Sequence, residues 1–140
     1  MTVALIDDQQ LGHVLRGRTP RVLRNKAVYT TGYWYVRLCQ AVLGADVRTG
    51  SLSRPFADLP DDLRERAIDA LLDLPPEVGL ISLRDLAPTI ARLRPTHQLN
   101  TLGMEALAAA TVLDAQVFLS APSPRLEAAL DAEGRRFRRV

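Results

Sequence analysis

Two adjacent carboxylates, Asp7 and Asp8, close the apolar run Val3-Ala4-Leu5-Ile6. A short run without polar alternation suits a strand buried on both faces of a parallel sheet. Ligands of open α/β sheets bind beyond the carboxyl ends of such strands. Leu11, Val14 and Leu15 follow at helical spacing, so the chain turns from strand to helix at the two acids. Aspartate is also a favoured helix N-cap. Asp8 reads as that cap, while the position of Asp7 suits a cap and a functional group equally. His13 and His97 have the chemistry of general bases near neutral pH, but neither has a partner evident in the sequence. Ser120 could hydrogen-bond a bound water or a phosphate, and Ser123 is the expected cap of a helix opening at Pro124. Thr30-Thr31-Gly32 could hold a phosphate at a helix start, though capping that helix is the commoner use. Tyr29, Tyr33, Trp34 and Tyr35 gather most of the aromatic surface in one stretch. Trp34 reads as core, and Tyr33 or Tyr35 could stack on a base or a partner side chain.

The basic residues are unevenly placed. Of 18, only Lys26 is a lysine, and the net charge is only +2. Arg16, Arg18, Arg21, Arg24 and Lys26 form one cluster; Arg135, Arg136, Arg138 and Arg139 form another. Such clusters can meet phosphates or an acidic partner, and a solvated surface is the plain alternative. The lone cysteine, Cys39, cannot form an internal disulfide, and no Cys/His spacing suggests zinc. Its helix is apolar, so a buried, inert thiol is expected. The 140 residues make one domain with a proper core. A composition of 47% apolar and 24% charged residues argues against disorder. No apolar run approaches the ~18 residues a membrane helix needs, and no basic-then-apolar leader opens the chain. No membrane association and a cytoplasmic location are the expectations.

The elements that would position these residues follow from periodicity and punctuation. After the first helix, Gly17 to Pro20 break the pattern and Arg21 to Asn25 allow one short turn. Ala27-Val28-Tyr29-Thr30 has strand character. Trp34, Leu38, Ala41 and Val42 mark a helix that Gly44 closes. Asp46 to Pro60 reads as the longest loop. A helix follows from about Pro60, with acids in its first turn, and Pro75-Pro76 ends it. Val78 to Ser82 is a third buried strand, and Leu86, Ile90 and Leu93 continue as a helix with Pro88 near its first turn. Beyond a polar connection at Arg94 to Asn100 come an alanine-rich helix over Met104 to Leu113 and a fourth strand at Val117 to Ser120. A helix from Pro124 to about Ala132 and an edge strand at Phe137 to Val140 complete the order. That is one α/β/α sandwich with a mostly parallel, five-stranded sheet.

The stretch Gly103-Met104-Glu105-Ala106-Leu107-Ala108-Ala109-Ala110-Thr111, followed by Val117-Phe118-Leu119-Ser120, resembles the PIN-like domains, the fold of VapC-type toxin ribonucleases of bacterial toxin–antitoxin pairs. Leu5-Ile6-Asp7 looks like their first strand, and Tyr33-Trp34-Tyr35-Val36 like the helix carrying their second acid. The likeness spans nearly the whole chain in element order. It implies carboxylates that hold Mg²⁺ or Mn²⁺, which activates water for RNA hydrolysis. Asp7 fits the first acid and Glu105 the third. The second falls at Arg37 and the fourth near Pro122, so two carboxylates are missing and a degenerate site is the straightforward reading. Arg37 is expected to neutralise Asp7 or Glu105. Asp8, Asp85 or Asp114 could substitute as ligands, Asp85 best by position beyond the third strand. The resemblance leaves two functions: a metal-dependent endoribonuclease using Asp7 and Glu105, or a binding module for single-stranded RNA or protein. It also implies a homodimer and a small antitoxin partner.

Overall fold

A computed structural model describes residues 1–44 and 50–140. Five strands form one sheet: β1 (Val3–Ile6), β2 (Ala27–Thr31), β3 (Val78–Ile81), β4 (Gln116–Leu119) and β5 (Phe137–Arg139). Their order is β3-β2-β1-β4-β5, and every neighbouring pair is parallel. The sheet is therefore wholly rather than mostly parallel. Seven α-helices flank it among the described residues: α1 (Asp8–Leu15), α2 (Gly32–Leu43), α3 (Arg54–Ala57), α4 (Asp61–Leu72), α5 (Leu83–Leu93), α6 (Thr101–Leu113) and α7 (Pro124–Ala132). A single 3₁₀ turn at Arg21–Leu23 occupies the short-turn position before β2. None of these helices is long and apolar enough to cross a membrane.

Alternation along the strands divides the core into two layers. Leu5, Val117 and Leu119 join Trp34, Leu86, Leu107 and Leu126 on one side of the sheet. Ala4, Ile6 and Phe118 join Leu11, Leu38, Phe56 and Leu71 on the other. Helix α6 explains the alanine run: Gly103 through Ala110 are all buried. A helix enclosed on all sides carries no amphipathic stripe, and small side chains let α5, the sheet and α2 approach it closely.

The long connection before α4 is not all loop. Its first part, at Asp46, lies outside the described residues, but Arg54–Ala57 forms a turn of helix pinned by Phe56, only 2% exposed. Pro88 lies inside α5 rather than at its first turn. Gly44 caps α2 without a left-handed backbone; a Cβ there would collide with the carbonyl of Gln40. Cys39 is free and half-buried, and burial raises its thiol pKa above the ordinary value. That suits an inert thiol, though a less enclosed one than its apolar helix suggests.

Candidate functional site at the carboxyl edge of the sheet

In this strand order the chain leaves β1 towards β2 and β3 on one side and towards β4 and β5 on the other, so the topology reverses between β1 and β4. The ends of the two strands part at such a point and leave a crevice where ligands of α/β proteins bind. A crevice of about 230 Å³ lies there, lined by Asp7 and Asp8 after β1, Leu119 and Ala121 at the end of β4, and Arg37 and Pro122 beside them. The two positions where the resemblance expects missing acids thus face the same space as the first acid.

Asp7, not Asp8, is the N-cap of α1. Its Oδ1 accepts from the backbone N–H of Gln10 at 3.0 Å and from the hydroxyl of Ser120 at 3.0 Å, while Oδ2 accepts from the backbone N–H of Ser120 at 2.7 Å. The amide of Gln10 in turn donates to the Ser120 hydroxyl at 2.9 Å. These bonds sew the end of β4 to the end of β1 and satisfy donors that would otherwise be buried unpaired.

Asp8 is the first helical residue and also buried. Arg37 pairs with it rather than with Asp7 or Glu105, Nε to Oδ2 at 3.3 Å. Burial and then the neighbouring charge of Asp7 push the Asp8 carboxyl above its ordinary pKa; Arg37 and the backbone N–H of Gln9 oppose that rise. The Arg37 side chain is 55% exposed, so the pair adds no more than about 1 kcal/mol to stability. Its consequence is electrostatic, because a guanidinium occupies the ground beside the acids.

Glu105 is fully buried on α6 and reaches the start of α2, where Oε1 accepts from the backbone N–H of Tyr33 at 2.8 Å. Thr31 caps the same helix by accepting from Trp34 N–H at 3.3 Å. Two side chains from different parts of the chain therefore share the first-turn donors of α2, and a carboxylate at that end is favoured by the helix dipole. Oε2 of Glu105 has no protein partner and lies 3.3 Å from where a Cβ on Gly32 would stand.

The donor set does not fit a divalent ion. Among the described residues no three His, Cys, Asp or Glu side chains come together as a metal-binding group. Mg²⁺ and Mn²⁺ favour several carboxylate or carbonyl oxygens converging on one point. Here Asp7 is engaged by three donors, Asp8 by a cation, and Glu105 by a helix end. Asp85 is exposed in the first turn of α5, beyond the edge strand β3, and does not line the crevice. Asp114 pairs with Arg135 at 2.6 Å.

Both histidines have partners. Nδ1 of His13 faces the Arg16 guanidinium at 3.1 Å; arginine only donates, so in this contact that nitrogen accepts. Burial, Arg16 and Arg18 all lower the His13 pKa. His97 is buried, with Nε2 2.7 Å from Glu133 at the end of α7. Ser123 does not cap α7 with its hydroxyl; its N–H donates to Glu127 at 2.7 Å, and Glu127 is clamped by Arg139. That guanidinium holds the Glu127 carboxyl below its usual range.

Beside the crevice, and sharing Arg37, Leu102, Pro122, Ser123 and Leu126 with it, opens a bay of about 570 Å³. The first turns of α6 and α7 line it, the latter contributing Arg125, a residue the sequence did not single out. On the other side the crevice meets, at Ser51, a hollow of about 410 Å³ walled by Arg16, Arg18 and Arg54. Arg16 is also held in place, its guanidinium 5.6 Å from the Phe56 ring centroid. Arg21 and Arg24 are exposed at the 3₁₀ turn and line none of these three spaces. No protein-family model matches this chain, and no curated protein matches it.

Proposed function

We propose that this chain is a PIN-like domain, related to the VapC-type toxin ribonucleases, that has lost metal-dependent cleavage and binds single-stranded RNA without cutting it. The observation that carries the reading is the Arg37–Asp8 pair at 3.3 Å. A cation stands where a second acid is expected and takes up the charge of the carboxylate nearest to it. Two unit charges 4 Å apart interact by roughly 4 kcal/mol at a surface-like dielectric. Exchanging an acid for arginine therefore turns an attraction for a divalent ion into a repulsion of similar size.

The arginines support the RNA half of the proposal. Arg16, Arg18 and Arg54 wall the hollow on one side of the crevice, and Arg37 and Arg125 the bay on the other. A strand crossing the carboxyl edge would meet cations at both ends of its path, and phosphate contacts of this kind supply sequence-independent affinity.

One observation favours the second reading, an active Mg²⁺- or Mn²⁺-dependent endoribonuclease: the buried, unpartnered Oε2 of Glu105 is an acceptor that a cation would satisfy. Incubating labelled single-stranded RNA with the protein and Mn²⁺ separates the two. The proposal expects salt-sensitive binding and intact RNA. Cleavage that requires Mn²⁺ and is lost in Glu105→Gln would establish the enzyme instead.

A further inference from the structure

We propose that the crevice and the adjoining bay form one binding site for a nucleoside 5′-phosphate, presented either by a free nucleotide or by the 5′ end of an RNA strand. From the reading above it takes only that Asp8 is not a metal ligand.

The crevice lies where the strand order reverses between β1 and β4, the position at which open α/β sheets receive ligands. The bay, at about 570 Å³, falls within the ~300–1,000 Å³ of small-ligand sites, and the crevice of about 230 Å³ extends it.

Charge then orients the ligand. The bay has two cations, Arg37 and Arg125, and no acid in its lining. Arg125 is exposed and forms no ion pair with a carboxylate among the described residues. The acids Asp7 and Asp8 line only the crevice. An anion is thereby drawn to the bay and repelled from the crevice, whereas neutral hydroxyls can donate to Asp8. Each of its oxygens has one protein donor, Gln9 N–H at 2.9 Å on Oδ1 and Arg37 at 3.3 Å on Oδ2, and a carboxylate oxygen accepts two.

Of the five residues common to both spaces, Leu102, Pro122 and Leu126 are apolar and suit the face of a base, beside Arg37 and Ser123. A ligand with a doubly charged end, hydroxyls and a flat apolar body answers all three parts. Arginine forks favour phosphate oxygens because two parallel N–H groups match their spacing.

The test is fluorescence anisotropy with the full chain in EDTA. The probes are one single-stranded RNA labelled at its 3′ end, bearing either a 5′-phosphate or a 5′-hydroxyl. The phosphorylated strand should bind roughly 10- to 100-fold tighter, the range for charge-assisted hydrogen bonds. That preference should vanish in Arg125→Gln and persist in Arg138→Gln, which removes an equal charge from the edge strand β5. Displacement of the probe by AMP would assign the site to free nucleotides as well; displacement only by phosphorylated strands would assign it to RNA ends. Equal affinity for the two strands, or a preference that survives Arg125→Gln, overturns the proposal and leaves the loss of cleavage untouched. Mn²⁺-dependent cutting would overturn the loss of cleavage and leave the end preference standing.

Discussion

Ser120 donates twice to Asp7, from its backbone N–H at 2.7 Å and from its hydroxyl at 3.0 Å. This relationship makes Asp7 a structural tie between β1, β4 and the start of α1. Asp7→Ala would leave the N–H groups of Gln10 and Ser120 without their acceptor and should cost about 3 kcal/mol. Urea unfolding reads that loss directly. An acid retained for chemistry behaves differently: its removal lowers activity and leaves stability unchanged or raised.

Glu105 performs a comparable service for α2. Glu105→Ala removes the acceptor for Tyr33 N–H and opens a cavity in a fully buried place, for a loss of about 2–4 kcal/mol. Glu105→Gln keeps an acceptor and should be milder. Amide exchange at Tyr33 provides a local readout, with protection lost in the alanine variant and kept in the glutamine variant.

Towards the sheet edge Gly79 stands in register with Tyr29 across the β2–β3 pair. A Cβ on Gly79 would overlap the Tyr29 ring. Gly79→Ala should therefore destabilise by roughly 1–3 kcal/mol, as overpacked sites do. Adding Tyr29→Ala should cancel that part of the loss, so the two changes will not be additive in denaturant titrations.

The buried position of Asp8 predicts a pH dependence. Its folded pKa lies above the ordinary 3.8, through burial first and the Asp7 charge second. The folded state therefore holds this proton more tightly than the unfolded state. Ionised Asp8 costs stability at neutral pH, and that cost is relieved as pH falls through the folded pKa towards 3.8. Asp8→Asn should accordingly raise the melting temperature at pH 7, with the gain shrinking as the pH approaches 4. A variant less stable than wild type at pH 7 but not at pH 4 would contradict this assignment.

The fold was largely legible because its strongest signals are local. Val3–Ile6 and Val78–Ile81 are short apolar runs, and the 3.6-residue spacing of Trp34, Leu38 and Val42 marks α2 directly. The helical turn at Arg54–Ala57 was hidden in a Gly/Ser/Pro-rich stretch, where Phe56 was the one residue that could have betrayed it. The acids were recognisable as residues of interest, but their roles were not. Whether Asp7 or Asp8 caps α1 depends on a shift of one residue in the helix start. The partners of Arg37 and Glu105 are tertiary; Glu105 and Tyr33 are separated by 72 positions. Arg125 looked like any surface arginine until the first turns of α6 and α7 were seen to share one bay.

The most direct test of the proposed loss of a metal centre is calorimetric titration of Mn²⁺ into the purified wild-type protein. With Arg37 beside Asp8 and the oxygens of Asp7 engaged by Gln10 and Ser120, no binding in the micromolar range is expected. Micromolar binding that disappears in both Asp8→Asn and Glu105→Gln would contradict the account and return the chain to the active nucleases.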